Sequence, residues 1–184
     1  MKATGIVRRI DDLGRVVIPK EIRRTMRIRE GDPLEIYTDR EGEVIFKKYS
    51  PMGELRVFAA EYAETLYKTS GMPIFICDRD EIIAVSGASK REYMEHKISR
   101  ELEDVIEGRV LYMRELGRDP VSIVKDGGSH FANCVMPIIS AGDIIGAVIS
   151  AWQYDMPTGD KISDAIESKL MQTAGIFLGK QMES

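Results

Sequence analysis

The chain has 184 residues, of which 43% are hydrophobic and 30% charged, with a formal net charge of -4. This length allows one large domain, or a small domain followed by a medium one. No apolar run approaches the roughly 18 residues of a membrane-spanning helix, and the N-terminal residues lack an apolar stretch of signal-peptide length. We therefore expect a protein of the cytoplasm that neither crosses a membrane nor is exported.

The charge is unevenly distributed along the chain. Residues 1–29 carry nine Lys or Arg and three Asp or Glu, a net charge of +6, which leaves -10 for residues 30–184. A basic segment on an otherwise acidic protein is typical of an end that binds a polyanion, because the acidic remainder is repelled by the same partner.

The first 48 residues are predicted to form a series of short elements. Two strands, Gly5–Ile10 and Arg15–Ile18, flank a tight turn at Asp11–Gly14. Pro19 then begins a short helical segment, and the residues from Arg40 to Gly42 mark a hairpin between two further strands. Because these few short elements cannot bury enough apolar surface to fold alone, we expect a second copy of the chain to complete the core.

A linker-like break at Ser50 to Gly53 divides the sequence into residues 1–52 and residues 53–184. Beyond it, the pattern predicts a helix over 53–71, a hairpin around Asp78–Asp80, two helical pieces within Ala88–Gly108 and a last helix over Gly159–Met182. Four further strands are predicted in VLYMRE, VSIVK, HFANCVMPII and DIIGAVISAWQ. Strands with helices at both ends indicate an α+β domain and not a parallel doubly wound one.

The basic segment supplies candidate DNA contacts. The turn brings arginines before and after it together, and the short helix projects two more away from its apolar face. Arginine suits phosphates and guanine edges because its planar group donates two parallel hydrogen bonds and stays charged. Strand alternation leaves open which of the first two arginines points outward, and Asp11 and Asp12 are expected to shape the turn and orient their neighbours. The candidate DNA-binding residues are Arg8, Arg9, Arg15, Arg23 and Arg24.

The segment TGIVRRIDDLGRVVIPKEIRRTMRIREGDPLEIYTDREGEVIFKKY, from Thr4 to about Tyr49, resembles the AbrB-type swapped-hairpin DNA-binding domain. This resemblance implies a fold rich in β-structure, in which two chains exchange hairpins to form one dimeric barrel. It also implies that Arg8, Arg15, Arg23 and Arg24 face DNA. A glycine often follows the short helix in this family, whereas this sequence has Arg27, which predicts an altered helix end.

Residues 56–184 resemble a GAF domain in the order of their elements. This resemblance implies a sensory module with an antiparallel sheet, flanking helices and a small-molecule pocket, whose ligand and ligand-binding residues the sequence leaves unknown. The two halves together resemble sporulation regulators of spore-forming Bacillus-type bacteria, which implies a transcription factor, activator or repressor, that tunes late genes in the forespore.

Higher assembly is predicted from the first and last helices of the second domain. Leu55 to Leu66 and Ile162 to Phe177 carry wide apolar stripes, which could join two dimers into a homotetramer. The alternative, that both stripes are used inside one subunit, stays open, as does a second domain that only supplies assembly contacts.

Two other functions compete with DNA-binding regulation. Some swapped-hairpin proteins are antitoxins, but these usually continue into a disordered acidic tail and not into a folded domain. A GAF-type thiol reductase would need Cys77 or Cys134, which both lie in apolar segments without basic neighbours. His96 and His130 are placed in polar loops without a Ser or Cys partner, and Ser86 to Lys90 could form no more than a weak anion-binding turn. We therefore predict no enzyme activity, no catalytic or metal-binding residue and no cofactor.

Overall fold

The computed structural model describes residues 5–48, 56–154 and 162–183. The chain divides into two compact units, residues 1–49 and 50–184. The boundary predicted at Ser50 to Gly53 lies outside the described residues, as do Leu55 and the beginning of the segment predicted as the last helix. None of the helices described is both long and apolar enough to cross a membrane.

The N-terminal unit consists of one short helix and one hairpin. Helix α1 spans Lys20–Thr25 and begins directly after Pro19, whose fixed φ suits a helix start. Strands β1 (Leu34–Thr38) and β2 (Val44–Lys48) pair antiparallel, with Ile36 opposite Phe46. The hairpin predicted around residues 40–42 is therefore confirmed.

The two strands predicted at Gly5–Ile10 and Arg15–Ile18 are not present in the single chain. A main-chain hydrogen bond from Asp11 N–H to the Arg15 carbonyl (3.1 Å) joins them across the turn, but no ladder follows. A strand requires a neighbour that accepts its hydrogen bonds along its length. Within the described residues, the contact at the turn does not extend into such a ladder.

The N-terminal unit also lacks an apolar core. Among residues 5–48 only Pro19 is classed as buried. Large apolar side chains are instead exposed along the whole unit, including Val7, Val17, Ile36, Val44 and Phe46. Exposed apolar surface on this scale is unusual for a folded monomer and indicates a surface that another molecule covers.

The C-terminal unit is built on one antiparallel sheet of five strands, with helices before, within and after the strands in chain order. The elements are α2 Arg56–Ser70, β3 Ile74–Asp78, β4 Ile82–Ser86, α3 Lys90–Tyr93, α4 Arg100–Glu107, β5 Tyr112–Met113, β6 Phe131–Ser140, β7 Asp143–Trp152 and α5 Asp164–Gln181. The strands lie in the order β4-β3-β7-β6-β5 across the sheet.

Both faces of this sheet are packed. Alternate residues of a strand point to opposite faces, so Ile74 and Ile76 of β3 meet α2 and α5, which contribute Ala63 and Met171 to the same apolar cluster. The intervening residues of β3 form a second cluster with α3, α4 and the loops, including Phe75, Tyr93, Leu102 and Ile149, all fully buried. Side chains therefore fill the second face, where the GAF resemblance implied a small-molecule pocket.

Close approach of helix α5 to the sheet depends on Gly179. A Cβ atom at this position would lie 2.2 Å from the main-chain oxygen of Ile139 in β6. Glycine therefore allows α5 to pack against the backbone of the strand and not only against its side chains.

Two predictions for the C-terminal unit are wrong. The segment VSIVK, residues 121–125, forms no strand and makes only isolated bridges, Ser122 with Phe131 and Val124 with Ile98. His130 lies in the loop directly before β6, but it is only 8% exposed and does have a serine partner, since its Nδ1 lies 3.1 Å from Ser129 Oγ and 3.2 Å from the Tyr93 hydroxyl.

Candidate nucleic-acid interface

The turn at Asp11–Gly14, directly before Arg15, is organised by the Asp11 carboxylate. Asp11 Oδ1 accepts hydrogen bonds from the main-chain N–H groups of Leu13 (3.0 Å) and Arg15 (2.8 Å), and Oδ2 accepts one from Arg15 Nε (2.8 Å). Gly14 closes the turn at φ 76°, which glycine adopts without strain. Asp11 thus shapes the turn and orients the Arg15 guanidinium, as the sequence predicts.

The same contacts lower the pKa of Asp11. The main-chain N–H of Arg15 is the largest cause and its guanidinium the second, because both stabilise the ionised carboxylate. The ion pair is solvent-exposed, with 68% of the Arg15 side chain accessible. Asp11 therefore directs Arg15 without removing it from solvent, where a phosphate could reach it.

The other candidate arginines are also exposed, but their surroundings differ. Arg23 and Arg24 project from α1, whose Ile22 is half-buried. Arg8 and Arg9 precede the turn, and Arg8 borders the apolar groove described below. All five candidates are thus accessible to a large anion, and Arg8 links the basic surface to the apolar one.

The end of helix α1 is closed by a paired set of main-chain hydrogen bonds. Ile28 N–H donates to the Arg23 carbonyl (2.7 Å) and Arg27 N–H to the Arg24 carbonyl (3.3 Å), the Schellman arrangement. This arrangement needs a left-handed residue after the helix, and Arg27 supplies it at φ 52°. The helix end that we expected to be altered is therefore closed in the usual way, by a residue poorly suited to the conformation.

Sequence reasoning missed the contribution of Lys48 to this region. Its Nζ donates to the Arg27 carbonyl (3.1 Å) and lies 3.4 Å from Asp32 Oδ2, whose side chain is inaccessible to solvent. The contact fastens strand β2 to the end of the arginine-bearing helix. Nothing local in the sequence signals a contact between residues 21 positions apart.

The apolar side chains of the N-terminal unit line a groove of about 860 Å³. Its walls come from the segment before the turn, the segment after it, α1 and β2, with Ile6, Val16, Ile22, Val44 and Phe46 among the lining residues. The groove therefore combines the two segments that flank the turn with α1 and β2 in one uncovered apolar surface.

The thiols of the C-terminal unit are unsuited to catalysis. Cys77 and Cys134 are free and completely buried. Burial is the main cause that raises the pKa of both thiols, and it raises that of Cys134, together with the charge of Glu167, to about 12. A thiolate nucleophile is thus disfavoured at neutral pH. Within residues 5–48, 56–154 and 162–183, no group of His, Cys, Asp and Glu side chains could hold a metal ion.

Sequence comparison matches both units to known families. The model of the family described as stage V sporulation protein T C-terminal, transcription factor, matches residues 54–183. The model described as antidote-toxin recognition MazE, bacterial antitoxin, matches residues 7–53.

Individual relatives agree with these matches. Stage V sporulation protein T of Bacillus subtilis (strain 168) is 53% identical over 187 residues, which cover 100% of this chain and 99% of the relative. The transition state regulatory protein AbrB of the same organism is 65% identical over 51 residues, 28% of this chain and 52% of that protein. The solved GAF domain of A. aeolicus nlh2 has a TM-score of 0.50 at 15% identity and covers 73% of this chain and 85% of its own, which shows the fold of the C-terminal unit.

An AbrB-like domain with exposed arginines, followed by a GAF-like sheet, defines a DNA-binding transcriptional regulator. More particularly, the chain belongs to the family of stage V sporulation protein T C-terminal transcription factors.

Proposed function

We propose that the protein is a homo-oligomeric regulator of late sporulation genes expressed in the forespore. Residues 1–52 form the dimerising, DNA-binding domain, and Arg8, Arg9, Arg15, Arg23 and Arg24 contact double-stranded DNA. Residues 53–184 form the domain that joins dimers and senses a signal, with no covalent chemistry. The protein acts in the cytoplasm on the nucleoid, as an activator, a repressor or both.

The observation that carries the dimer is the uncovered groove of the N-terminal unit. A 44-residue stretch with a single buried residue cannot offset its conformational entropy by burial within one copy. A second copy that inserts its own hairpin and the segments flanking its turn would cover the groove and would also allow those segments to form strand ladders. The 65% identity to AbrB supports the same assembly, through the swapped-hairpin family that the sequence resembles.

The arginine assignment is supported by exposure and by Asp11. Five exposed guanidinium groups on a segment of net charge +6 supply the sequence-independent attraction to phosphates. The Asp11 contact holds Arg15 in one orientation, which favours a directional contact over a diffuse one.

The tetramer is supported by apolar side chains at the α2–α5 seam. Phe58, Tyr62 and Phe177 stack with ring centroids 5.5 to 6.0 Å apart. Beyond this seam, Ile166 and Ile176 of α5 are each 54% exposed. The apolar stripe of α5 is thus only partly buried within one subunit, and its exposed part could pack against helices of a second dimer.

The gene class rests on the full-length relative. The 53% identity to stage V sporulation protein T extends over both units, so the pairing of the two domains is shared and not only one of them. We therefore assign the sporulation role to the whole chain.

An antitoxin role is the second candidate, because residues 7–53 match the MazE antitoxin model. Residues 56–154 and 162–183 argue against it, since they form a packed sheet with helices where a toxin-binding antitoxin of this type would carry an extended tail. A pull-down that recovers a stoichiometric toxin-like partner, with no affinity for duplex DNA, would favour this reading.

The proposal is tested by the salt dependence of DNA binding by the full-length protein. If one dimer engages about eight phosphates, log affinity should fall with log salt at a slope of roughly -7. Arg15→Ala and Arg23→Ala should each reduce the affinity for DNA, while the free energy of unfolding changes by no more than about 0.5 kcal/mol. Arg118→Ala, an exposed arginine of the C-terminal unit, is the matched control and should leave the slope unchanged. A slope near zero would contradict the proposal.

A further inference from the structure

A buried polar cluster lies where helix α5 packs on strands β6 and β7. Glu167 of α5 is 0% exposed, and its Oε1 accepts hydrogen bonds from Asn133 Nδ2 (2.7 Å) and from the Ser150 hydroxyl. Ser150 Oγ in turn accepts the main-chain N–H of Cys134 (3.1 Å). We call Asn133, Ser150 and Glu167 the Glu167 cluster.

The second oxygen of this carboxyl group is left without a partner. Glu167 Oε2 is buried and accepts no hydrogen bond, and Trp152 Nε1, a donor, is likewise buried without an acceptor. Ser150 and Trp152 are two residues apart in β7, so their side chains lie on the same face of the sheet. The unpaired acceptor on α5, whose carboxyl group is bonded to Ser150, and the unpaired donor of Trp152 are therefore found on the same face of the sheet.

Unpaired buried polar groups of this kind are rare in folded proteins, because each loses its bonds to water on burial. Asn133 and Ser150 account for Oε1, since an apolar residue in place of Glu167 would leave both of their buried donors unpaired. They do not account for Oε2, which a bound molecule that donates a hydrogen bond would satisfy.

The surroundings of Trp152 suit a small charged molecule. Phe131, Trp152 and Tyr154 lie 5.0 to 5.5 Å apart between ring centroids, and Tyr154 is 73% exposed, so the group reaches the surface. The Arg114 guanidinium lies 4.0 Å from the Trp152 ring centroid. Aromatic faces attract cations, and a guanidinium attracts carboxylates, so both ends of a zwitterion would find complementary groups.

We propose that the Glu167 cluster and Trp152 form a binding site for a small molecule with an ammonium group beside an acceptor oxygen, of which an α-amino acid is the simplest example. The ammonium group donates to Glu167 Oε2, and the acceptor oxygen receives the Trp152 Nε1 hydrogen bond. This site lies on the α5 face of the sheet, away from the face that Phe75 and Tyr93 fill. It deepens the sensory part of the proposed function and depends on that part only for its effect on DNA.

The site can be monitored directly because Trp152 is the one tryptophan of the chain. The full-length protein is titrated with glycinamide and with the common α-amino acids at millimolar concentration, and acetamide serves as the probe that lacks only the ammonium group. Tryptophan fluorescence and the thermal unfolding midpoint are both recorded. The variants are Glu167→Gln and Glu167→Met, with Glu101→Gln, an exposed carboxyl of α4, as the matched control. Trp152→Phe, followed by thermal unfolding alone, tests the indole donor.

We expect a saturable fluorescence change with at least one ammonium probe, none with acetamide, and an affinity about tenfold weaker or lost in Glu167→Gln and Trp152→Phe. Glu101→Gln should bind as the unchanged protein does. Absence of saturable binding by every ammonium probe would overturn the proposal. Equal affinity of Glu167→Met and the unchanged protein for a probe would overturn it too, because Glu167 would then have only a structural role. Operator affinity is measured separately. Probe binding without any change in operator affinity would retain the site and reject the sensory role, whereas loss of the site would leave the DNA-binding proposal intact.

Discussion

The two units of this chain differ in what a single copy can bury. Residues 56–154 and 162–183 fill both faces of their sheet, with fully buried side chains such as Phe75 and Met171. Residues 5–48 leave Val44 and Phe46 exposed around an open groove. The C-terminal unit therefore buries a core within one chain, whereas the N-terminal unit leaves its apolar side chains uncovered, which the proposed dimer would remedy.

This difference has a functional consequence. A domain that folds only with a second copy presents its basic residues twice, in symmetric positions, and a symmetric pair of surfaces matches two half-sites on duplex DNA. DNA affinity should therefore depend on dimer formation as well as on the arginines themselves.

Phe46→Asp should abolish dimer formation by the N-terminal unit. Phe46 lines the groove, and a carboxylate there would be buried without a partner once a second copy covers it. We expect affinity for an operator fragment to fall by about a hundredfold or more, equivalent to roughly 3 kcal/mol. Sedimentation and fluorescence anisotropy measure the two effects.

The control for this change is Leu116→Asp, at a residue that is 91% exposed in the C-terminal unit. It makes the same kind of substitution outside the groove and should leave both measurements unchanged. Retained dimers and DNA binding in Phe46→Asp would show that the groove is not the dimer surface.

Gly179→Ala should destabilise the C-terminal unit by about 3 kcal/mol, since overpacking usually costs 1 to 3 kcal/mol. The added Cβ would meet the main-chain oxygen of Ile139 at 2.2 Å, and a backbone atom cannot turn aside. Gly175→Ala is the matched control on the same helix, because its nearest contact is the flexible Met136 side chain. Urea unfolding compares the two variants, and equal stabilities would mean that α5 moves away from the sheet at little cost.

The same contrast explains how much could be predicted from the sequence. The helix over Arg56–Ser70 and the hairpin of β1 and β2 were predictable because a stripe of apolar residues and a glycine at a turn are local signals. Residues 121–125 alternate like a strand, yet they find only single bridging partners, Phe131 and Ile98 among them, because pairing is decided by distant segments. The segments on either side of Asp11 were predicted as strands, but neither forms a strand ladder within the described residues.

The candidate interface divides in the same way. The link between Asp11 and Arg15 is four residues long and could be inferred from the turn. The hydrogen bond from Lys48 to the Arg27 carbonyl could not be inferred, since it depends on the tertiary packing of β2 beside the end of α1. Glu167 is indistinguishable in sequence from the acidic residues that favour the first turn of any helix. Only packing against Ser150 shows that it is buried.

Arg27→Gly should stabilise the N-terminal unit by about 1 kcal/mol, because glycine adopts the left-handed conformation without the strain of a side chain. Removal of Arg27 Nη1, which is buried without a partner, acts in the same direction. Arg40→Gly is the control, since Arg40 is not in that conformation and glycine there should destabilise slightly. Both are compared by chemical unfolding at one protein concentration. A less stable Arg27→Gly would indicate that the Arg27 side chain contributes to packing in the dimer.

The smallest expected effect is a pH dependence of unfolding that arises from His130 in the C-terminal unit. Burial, opposed by the charge of Glu92, lowers the pKa of His130 below its usual value near 6.5, so the unfolded chain takes up a proton at a higher pH than the folded one. The stability that His130 contributes is therefore complete above about pH 6.5 and is lost progressively as the pH falls through the folded pKa. Unfolding of the C-terminal unit, followed by Trp152 fluorescence at neutral and mildly acidic pH, should show this loss in the unchanged protein. His130→Gln should reduce the dependence, whereas His96→Gln, at a residue in an exposed position, should keep it. If His130→Gln leaves the pH dependence of unfolding unaltered, the imidazole is not the group that titrates, and the contacts with Tyr93 and Ser129 serve packing alone.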